Sequence, residues 1–265
     1  MNWGMKNRIS RIFNPNTGHM VSLAVDGGYF EGAAKDLRDL GAAINPLWPH
    51  ADALMITRGG LRAWIPPEMN KPVILRMSGG ASALKDLSDE TITTSIDEAI
   101  RLNASAIACS IFVGAAHEKE SIANLARLAN EGEAVGMPAL AVTEAAEGIE
   151  RDAHYLGMAS RIAVEIGARI VKTYYCADFD EVIAVCGSVP VVMASGEKLE
   201  EREALNMAAD AMSKGASGVA MGPNIYQSDC PLGMIKAFRA IVHDGVSVQE
   251  AFEVYQSNKE FQSFD

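Results

Sequence analysis

Ala168-Arg-Ile-Val-Lys-Thr-Tyr-Tyr175 is a short apolar run with a single lysine, Lys172, set inside it. A run of this length, rich in β-branched and aromatic residues, reads as a strand buried on both faces. Outward from it, seven similar runs recur: Met20–Asp26, Ala53–Thr57, Pro72–Met77, Ala106–Val113, Pro138–Thr143, Pro190–Ala194 and Gly218–Gly222. With Arg169–Tyr175 as the sixth in order, that makes eight candidate strands. The third, fifth and seventh open on a proline, which suits a strand's first residue because no ladder N–H is needed there. The others with an even place in the order follow an alanine-led step: Ala51-Asp52, Ala104-Ser105, Ala168-Arg169 and Ala216-Ser217.

Between the runs the spacing turns helical. Ile122, Leu125, Leu128 and Ala129 share a stripe, as do Ile162, Ala163 and Ile166, and Leu205, Ala208 and Met212. Ser95-x-x-Glu98 and Ser247-x-x-Glu250 have the form of capping boxes. Gly132, Gly187, Gly215 and Gly245 stand where helix C-caps are expected. Eight βα units in 265 residues predict an α/β protein, a TIM (β/α)8 barrel, whose typical size is about 250 residues. The expected organisation is one barrel domain over 1–265. Residues 1–18 form an N-terminal extension, and 247–265 an extra helix and tail.

With 23 basic against 34 acidic residues, a net of −11, the chain has no basic stripe and nucleic acid is not expected as a partner. An anionic substrate would need a pocket locally positive against that field. Cys109, Cys176, Cys186 and Cys230 form no C-x-x-C pair and read as small buried hydrophobes of a reducing compartment. Met1–Asn14 is amphipathic and basic without a signal peptide's apolar core, and no run approaches the roughly 20 residues of a membrane span. These features point to the cytoplasm and away from a membrane. The five histidines lack ligand spacing, so no metal is expected.

Barrel active sites lie at the C-terminal ends of the strands. Lys172 inside a buried strand is costly to desolvate. Either its pKa falls and the neutral amine attacks a ketone to form a Schiff base, or it snorkels to the strand end or pairs with a carboxylate. Asp26, ending the first run before Gly27-Gly28, is either a proton-shuttling carboxylate or a turn residue. Glu144, following the fifth run, is a second acid/base candidate or a solvated loop residue. Ser195-Gly196 and Gly222-Pro223-Asn224 stand where barrels commonly bind phosphate. Glu197 and Pro223 weaken that site, and Lys198 could compensate for the glutamate. Arg58 and Arg76 are further anion-contact candidates, with ion pairing as the alternative.

The chain resembles the class I, Schiff-base aldolase family that includes archaeal-type fructose-bisphosphate aldolases, and within it most of all the autoinducer-2 thiolase branch. The stretches that carry this are Asn2-Trp-Gly-Met with Arg8-Ile-Ser-Arg-Ile-Phe-Asn-Pro15, Ile170-Val-Lys-Thr-Tyr-Tyr175, Leu199-Glu-Glu-Arg-Glu-Ala-Leu205 and Met221-Gly-Pro-Asn-Ile-Tyr-Gln-Ser-Asp229. The resemblance implies Lys172 as the Schiff-base lysine, Asp26 as an active-site carboxylate, and phosphate loops after strands seven and eight. It also implies a keto-sugar or phosphorylated diketone as substrate, with no resident cofactor. Coenzyme A would be the acetyl-accepting co-substrate, and the chains would assemble as a homo-oligomer, a ring or double ring of five. Three positions depart from the family pattern. The Asp-His-Gly motif is here Asp26-Gly27-Gly28, the aldolases' tyrosine after strand five is Glu144, and the arginine after strand eight is Pro223. The altered groups leave two alternatives: a retro-aldolase for a non-phosphorylated or otherwise acidic keto-sugar that needs no coenzyme A, or a barrel that binds sugar phosphate without turnover.

Overall fold

In the computed structural model, which describes residues 1–32, 37–146 and 148–262, all eight runs are strands. They are β1 (Met20–Ala24), β2 (Ala53–Thr57), β3 (Val73–Arg76), β4 (Ala106–Val113), β5 (Ala139–Ala145), β6 (Ile170–Tyr174), β7 (Val191–Ala194) and β8 (Gly218–Met221). Each pairs parallel to its sequence neighbours, and β8 pairs with β1 to close the barrel. The helices are α1 (Trp3–Ile12), α2 (Gly28–Glu31), α3 (Leu40–Ile44), α4 (Arg58–Trp64), α5 (Ile96–Arg101), α6 (Glu118–Val135), α7 (Ala153–Ile166), α8 (Phe179–Cys186), α9 (Glu201–Ser213), α10 (Pro223–Tyr226), α11 (Pro231–Arg239) and α12 (Val248–Gln262). The expected tail beyond residue 262 lies outside the described residues. A two-residue antiparallel ladder, Ser78–Gly79 with Thr91–Ile92, folds the loop after β3 back on itself.

Three expectations are corrected in detail. Pro72, Pro138 and Pro190 stand one residue before their strands, where each carbonyl accepts an N–H from the preceding strand: Leu54, Ile107 and Val171 respectively. Their missing N–H groups therefore cost no ladder bond. Gly132 does not end α6. That helix runs on to Gly136, whose left-handed φ of 69° is the true C-cap. Gly132 instead lets the chain after the helix return close to its axis, since a Cβ there would lie 2.4 Å from the Met137 carbonyl oxygen. At Ser95 only half the capping box forms: Ser95 Oγ accepts the Glu98 N–H, while the Glu98 carboxylate turns to Arg62 and Arg101. Ser247 and Glu250 make both bonds.

The barrel interior below the mouth is an apolar plug built from Met20, Met55, Ile74, Leu140, Val142, Ile170 and Val192 with small alanines between them, and Ile12 and Phe13 close it from beneath. The N-terminal extension is thus the barrel's floor, tied down by Arg8 Nη1 donating to the Gly136 carbonyl at 2.9 Å. A second latch lies nearby. Asp52 Oδ2 accepts the Val21 N–H at 2.7 Å and faces His243 Nε2 at 2.8 Å. The other ring nitrogen of His243 meets Thr17 Oγ1 at 2.9 Å. The four cysteines are buried and unpaired, and burial pushes the Cys109 thiol up to about 12 and that of Cys186 to about 11.

Candidate active site

Strand alternation decides which side chains face the barrel axis. On β6, Ile170, Lys172 and Tyr174 point inward, while Val171 and Thr173 pack outward toward the helices. Lys172 stands beside Val142 on β5 and Val192 on β7, on top of the apolar plug. Its Nζ contacts the Met55 sulfur at 3.8 Å, and the side chain is half-buried. Above it opens a cavity of about 630 Å3 at the C-terminal ends of the strands.

Asp26, Glu144 and Lys172 line this one cavity, together with Ser195, Gly196 and Gly222. Residues more than a hundred positions apart in the chain are brought to one mouth. Glu144 is not in a loop: it is the sixth residue of β5, whose ladder with β4 extends through Ala145. Its inward side chain accepts a hydrogen bond from the Tyr174 hydroxyl at 2.6 Å. The Arg151 guanidinium lies 3.7 Å from the centre of the Tyr174 ring. Burial, reinforced by the Glu144 charge, pushes the Tyr174 hydroxyl well above the ordinary phenol range.

Arg76 lines the same cavity, but its guanidinium is engaged by internal partners. It is 4% exposed, and its guanidinium is taken up by Glu90 (2.9 and 3.2 Å), Ser110 Oγ (2.6 Å), the Ser78 carbonyl (3.2 Å) and the Tyr29 hydroxyl. Its remaining Nη1 stands 3.6 Å from Asp26 Oδ2. Glu90 is held in turn by Ser78 Oγ at 2.6 Å and by Tyr29. Burial and the Glu90 charge push the Tyr29 hydroxyl well above its ordinary range, with Arg76 opposing. The ion-pairing alternative therefore holds for Arg76, and the network it anchors is what orients Asp26.

Other anion candidates are also relocated. Arg58 opens α4 and lines a neighbouring cavity of about 600 Å3 beside Arg38 and Trp64, not the mouth. Asn224 is fully buried. Its amide oxygen accepts the Leu199 N–H at 2.7 Å, and its amide nitrogen donates to the Glu197 carbonyl at 2.8 Å. It staples the loop after β7 to α10 and offers nothing to a ligand. Lys198, the expected compensating charge, pairs with Glu201 at 3.0 Å. Tyr29, Glu90, Arg151 and Tyr174 were not singled out from the sequence. Only the two-residue step from Lys172 to Tyr174 carried a signal for any of them. Among the described residues, no group of three or more His, Cys, Asp or Glu side chains gathers to hold a metal ion.

Residues 20–228, which include every strand of the barrel, match the model of the DeoC/LacD family of aldolases. The chain belongs to that family. A 3-hydroxy-5-phosphonooxypentane-2,4-dione thiolase of Escherichia coli is 49% identical over 261 residues, covering 98% of this chain and 89% of the relative. A solved archaeal fructose-1,6-bisphosphate aldolase superposes with a TM-score of 0.81 at 25% identity, over 91% of this chain and 100% of the other. Another archaeal aldolase structure matches equally well (TM-score 0.81, 25% identity, 90% and 99% coverage), and it carries its catalytic lysine covalently bound to the carbinolamine intermediate of its substrate. This DeoC/LacD member is an enzyme of the class I, Schiff-base aldolase type.

Proposed function

We propose that Lys172 forms the Schiff base, and that the enzyme acts on a keto-sugar or phosphorylated diketone, breaking a C–C bond beside the imine and passing an acetyl group to coenzyme A. The observation that carries this reading is the inward-facing amine of Lys172 standing on an apolar floor, with Asp26 and Glu144 on the same cavity. The amine condenses with a ketone. The protonated imine then draws in the electron pair released as the neighbouring bond breaks, an interaction worth most in the transition state. Asp26, steadied by Arg76, is suited to proton transfer during imine formation, and Glu144 to proton transfer at the cleaved bond. Ser195, Gly196 and Gly222 would receive the substrate's anionic end. The thiolase relative supports the diketone; coenzyme A, the cytoplasm and a homo-oligomer rest on the family resemblance alone.

Borohydride added with 3-hydroxy-5-phosphonooxypentane-2,4-dione should leave a reduced adduct on Lys172, read by mass spectrometry of its peptide. Lys172→Ala should lose both adduct and turnover. An unmodified Lys172, or an active alanine variant, refutes the proposal. Product formation at an unchanged rate without coenzyme A would favour the simple retro-aldolase. Glu197 at the mouth and Pro223 in place of an arginine are the features that favour that second reading.

A further inference from the structure

We propose that Tyr174 and Glu144 form the proton relay of the Lys172 chemistry, with the Tyr174 hydroxyl as the group that meets the reacting partner. The proposal rests on the Schiff-base reading above. Tyr174 follows Lys172 by two residues on the same face of β6, roughly 6.6 Å further toward the mouth. Both line the cavity in which a substrate bonded to Lys172 must extend. The hydroxyl donates its proton to Glu144 Oε2 at 2.6 Å, so its lone pairs are left to accept a proton from the cavity side. The ring is held in place. Arg151 stacks on it at 3.7 Å, and Gly196 packs so close that a Cβ would lie 3.3 Å from Tyr174 Cε1 and 3.6 Å from Arg151 Nη1.

A buried phenol beside a carboxylate keeps its proton at neutral pH and is a poor base alone. It can take a proton only while handing its own onward, and Glu144 is the acceptor already bonded to it. The step balances. The reacting partner's hydroxyl proton moves to Tyr174 Oη, or its thiol proton in acyl transfer, as the Tyr174 proton moves to Glu144 Oε2. In cleavage, the hydroxyl oxygen becomes a carbonyl, the C–C bond breaks, and its electron pair neutralises the protonated imine as an enamine. In transfer, the sulfur freed of its proton bonds to the acyl carbon, and the same C–C pair flows to the imine. Glu144 ends protonated and is reset when the enamine carbon regains a proton. The position that carries a tyrosine in the resembling aldolases is here Glu144, so the phenol is supplied one strand over.

The test uses the full chain with 3-hydroxy-5-phosphonooxypentane-2,4-dione and coenzyme A, following kcat, KM and borohydride trapping. Tyr174→Phe and Glu144→Gln should each lower kcat about 100-fold with KM little changed. Both should still form the trapped adduct on Lys172, because imine formation precedes the relay. The double variant should be no slower than the slower single one, since the two groups act as a unit. Wild-type turnover in Tyr174→Phe overturns the relay, as do losses that multiply in the double variant, or loss of the adduct from a folded Tyr174→Phe. If Tyr174→Phe fails to fold, Glu144→Gln decides by the same readouts. An absent adduct in the wild-type protein refutes the Schiff-base reading itself and the relay with it, so the two failures are told apart.

Discussion

Arg76 and Glu90 have side chains 3% and 2% exposed, and each is tolerated in the interior because the other is present. Arg76→Met removes the cation and leaves the Glu90 carboxylate buried without it, which should cost about 3–5 kcal/mol in denaturant unfolding. Adding Glu90→Gln should recover part of that loss. If Arg76→Met unfolds at the wild-type midpoint, the network is not structural. The same substitution frees Asp26 from its neighbouring charge, so residual activity should fall further than stability alone explains. At this scale the sequence was legible only in part. That Lys172, Asp26 and Glu144 stand within or at the ends of candidate strands, where a barrel builds its site, was legible; that all three line one cavity was decided by the structure. That Arg76 is consumed internally depends on Glu90, which lies in an irregular loop fourteen residues on, where no periodicity assigns a direction.

Among the elements, α6 holds two opposing tendencies at Gly132. Alanine is the better helix former by roughly 1 kcal/mol. Its Cβ, however, would stand 2.4 Å from the Met137 carbonyl oxygen, and that backbone is pinned by the Met137 N–H donating to the Gly132 carbonyl at 2.7 Å. Backbone cannot give way as a side-chain tip can, so the clash wins. Gly132→Ala should destabilise by about 1–3 kcal/mol in thermal or denaturant melts. A neutral or stabilised variant would mean that the turn after α6 relaxes freely. Reading Gly132 as a C-cap failed because a glycine kept for closeness and one kept for a left-handed φ look alike in sequence. The prolines before β3, β5 and β7 were more informative: their positions were wrong by one residue, but the strands they announce are all present.

For the whole molecule, the floor of the barrel depends on links between the chain's two ends. Asp52 joins β1 to the segment carrying His243 and Arg239, and His243 in turn reaches Thr17. Burial raises the Asp52 pKa, but the bonds from His243 and the Val21 N–H, with the His243 and Arg239 charges, outweigh it and hold the carboxyl below its ordinary value. A carboxyl depressed on folding adds stability that is complete above the unfolded pKa and is lost as pH falls through the folded one. Acid unfolding should therefore steepen below roughly pH 4. Asp52→Asn should lower stability at neutral pH by about 1–3 kcal/mol and flatten that acid limb. An unchanged pH profile of unfolding would show that the latch contributes nothing.

The sequence by itself determined the eight strands, their parallel burial and the helices between them, because each of these follows from local patterning, whereas the inward direction of Lys172 emerged only with the closed barrel. It determined the family too, through long matched segments. Only the tertiary structure decided which polar groups are spent on one another and which are left facing the cavity. Arg76, Asn224 and Lys198 are spent on internal partners, Arg76 and Lys198 within the cavity wall itself, while Lys172, Ser195 and the Tyr174–Glu144 pair also line the mouth. Hydrogen-bond and ion-pair partners are set by barrel closure, which brings distant loops together, and local chain chemistry does not encode those distances.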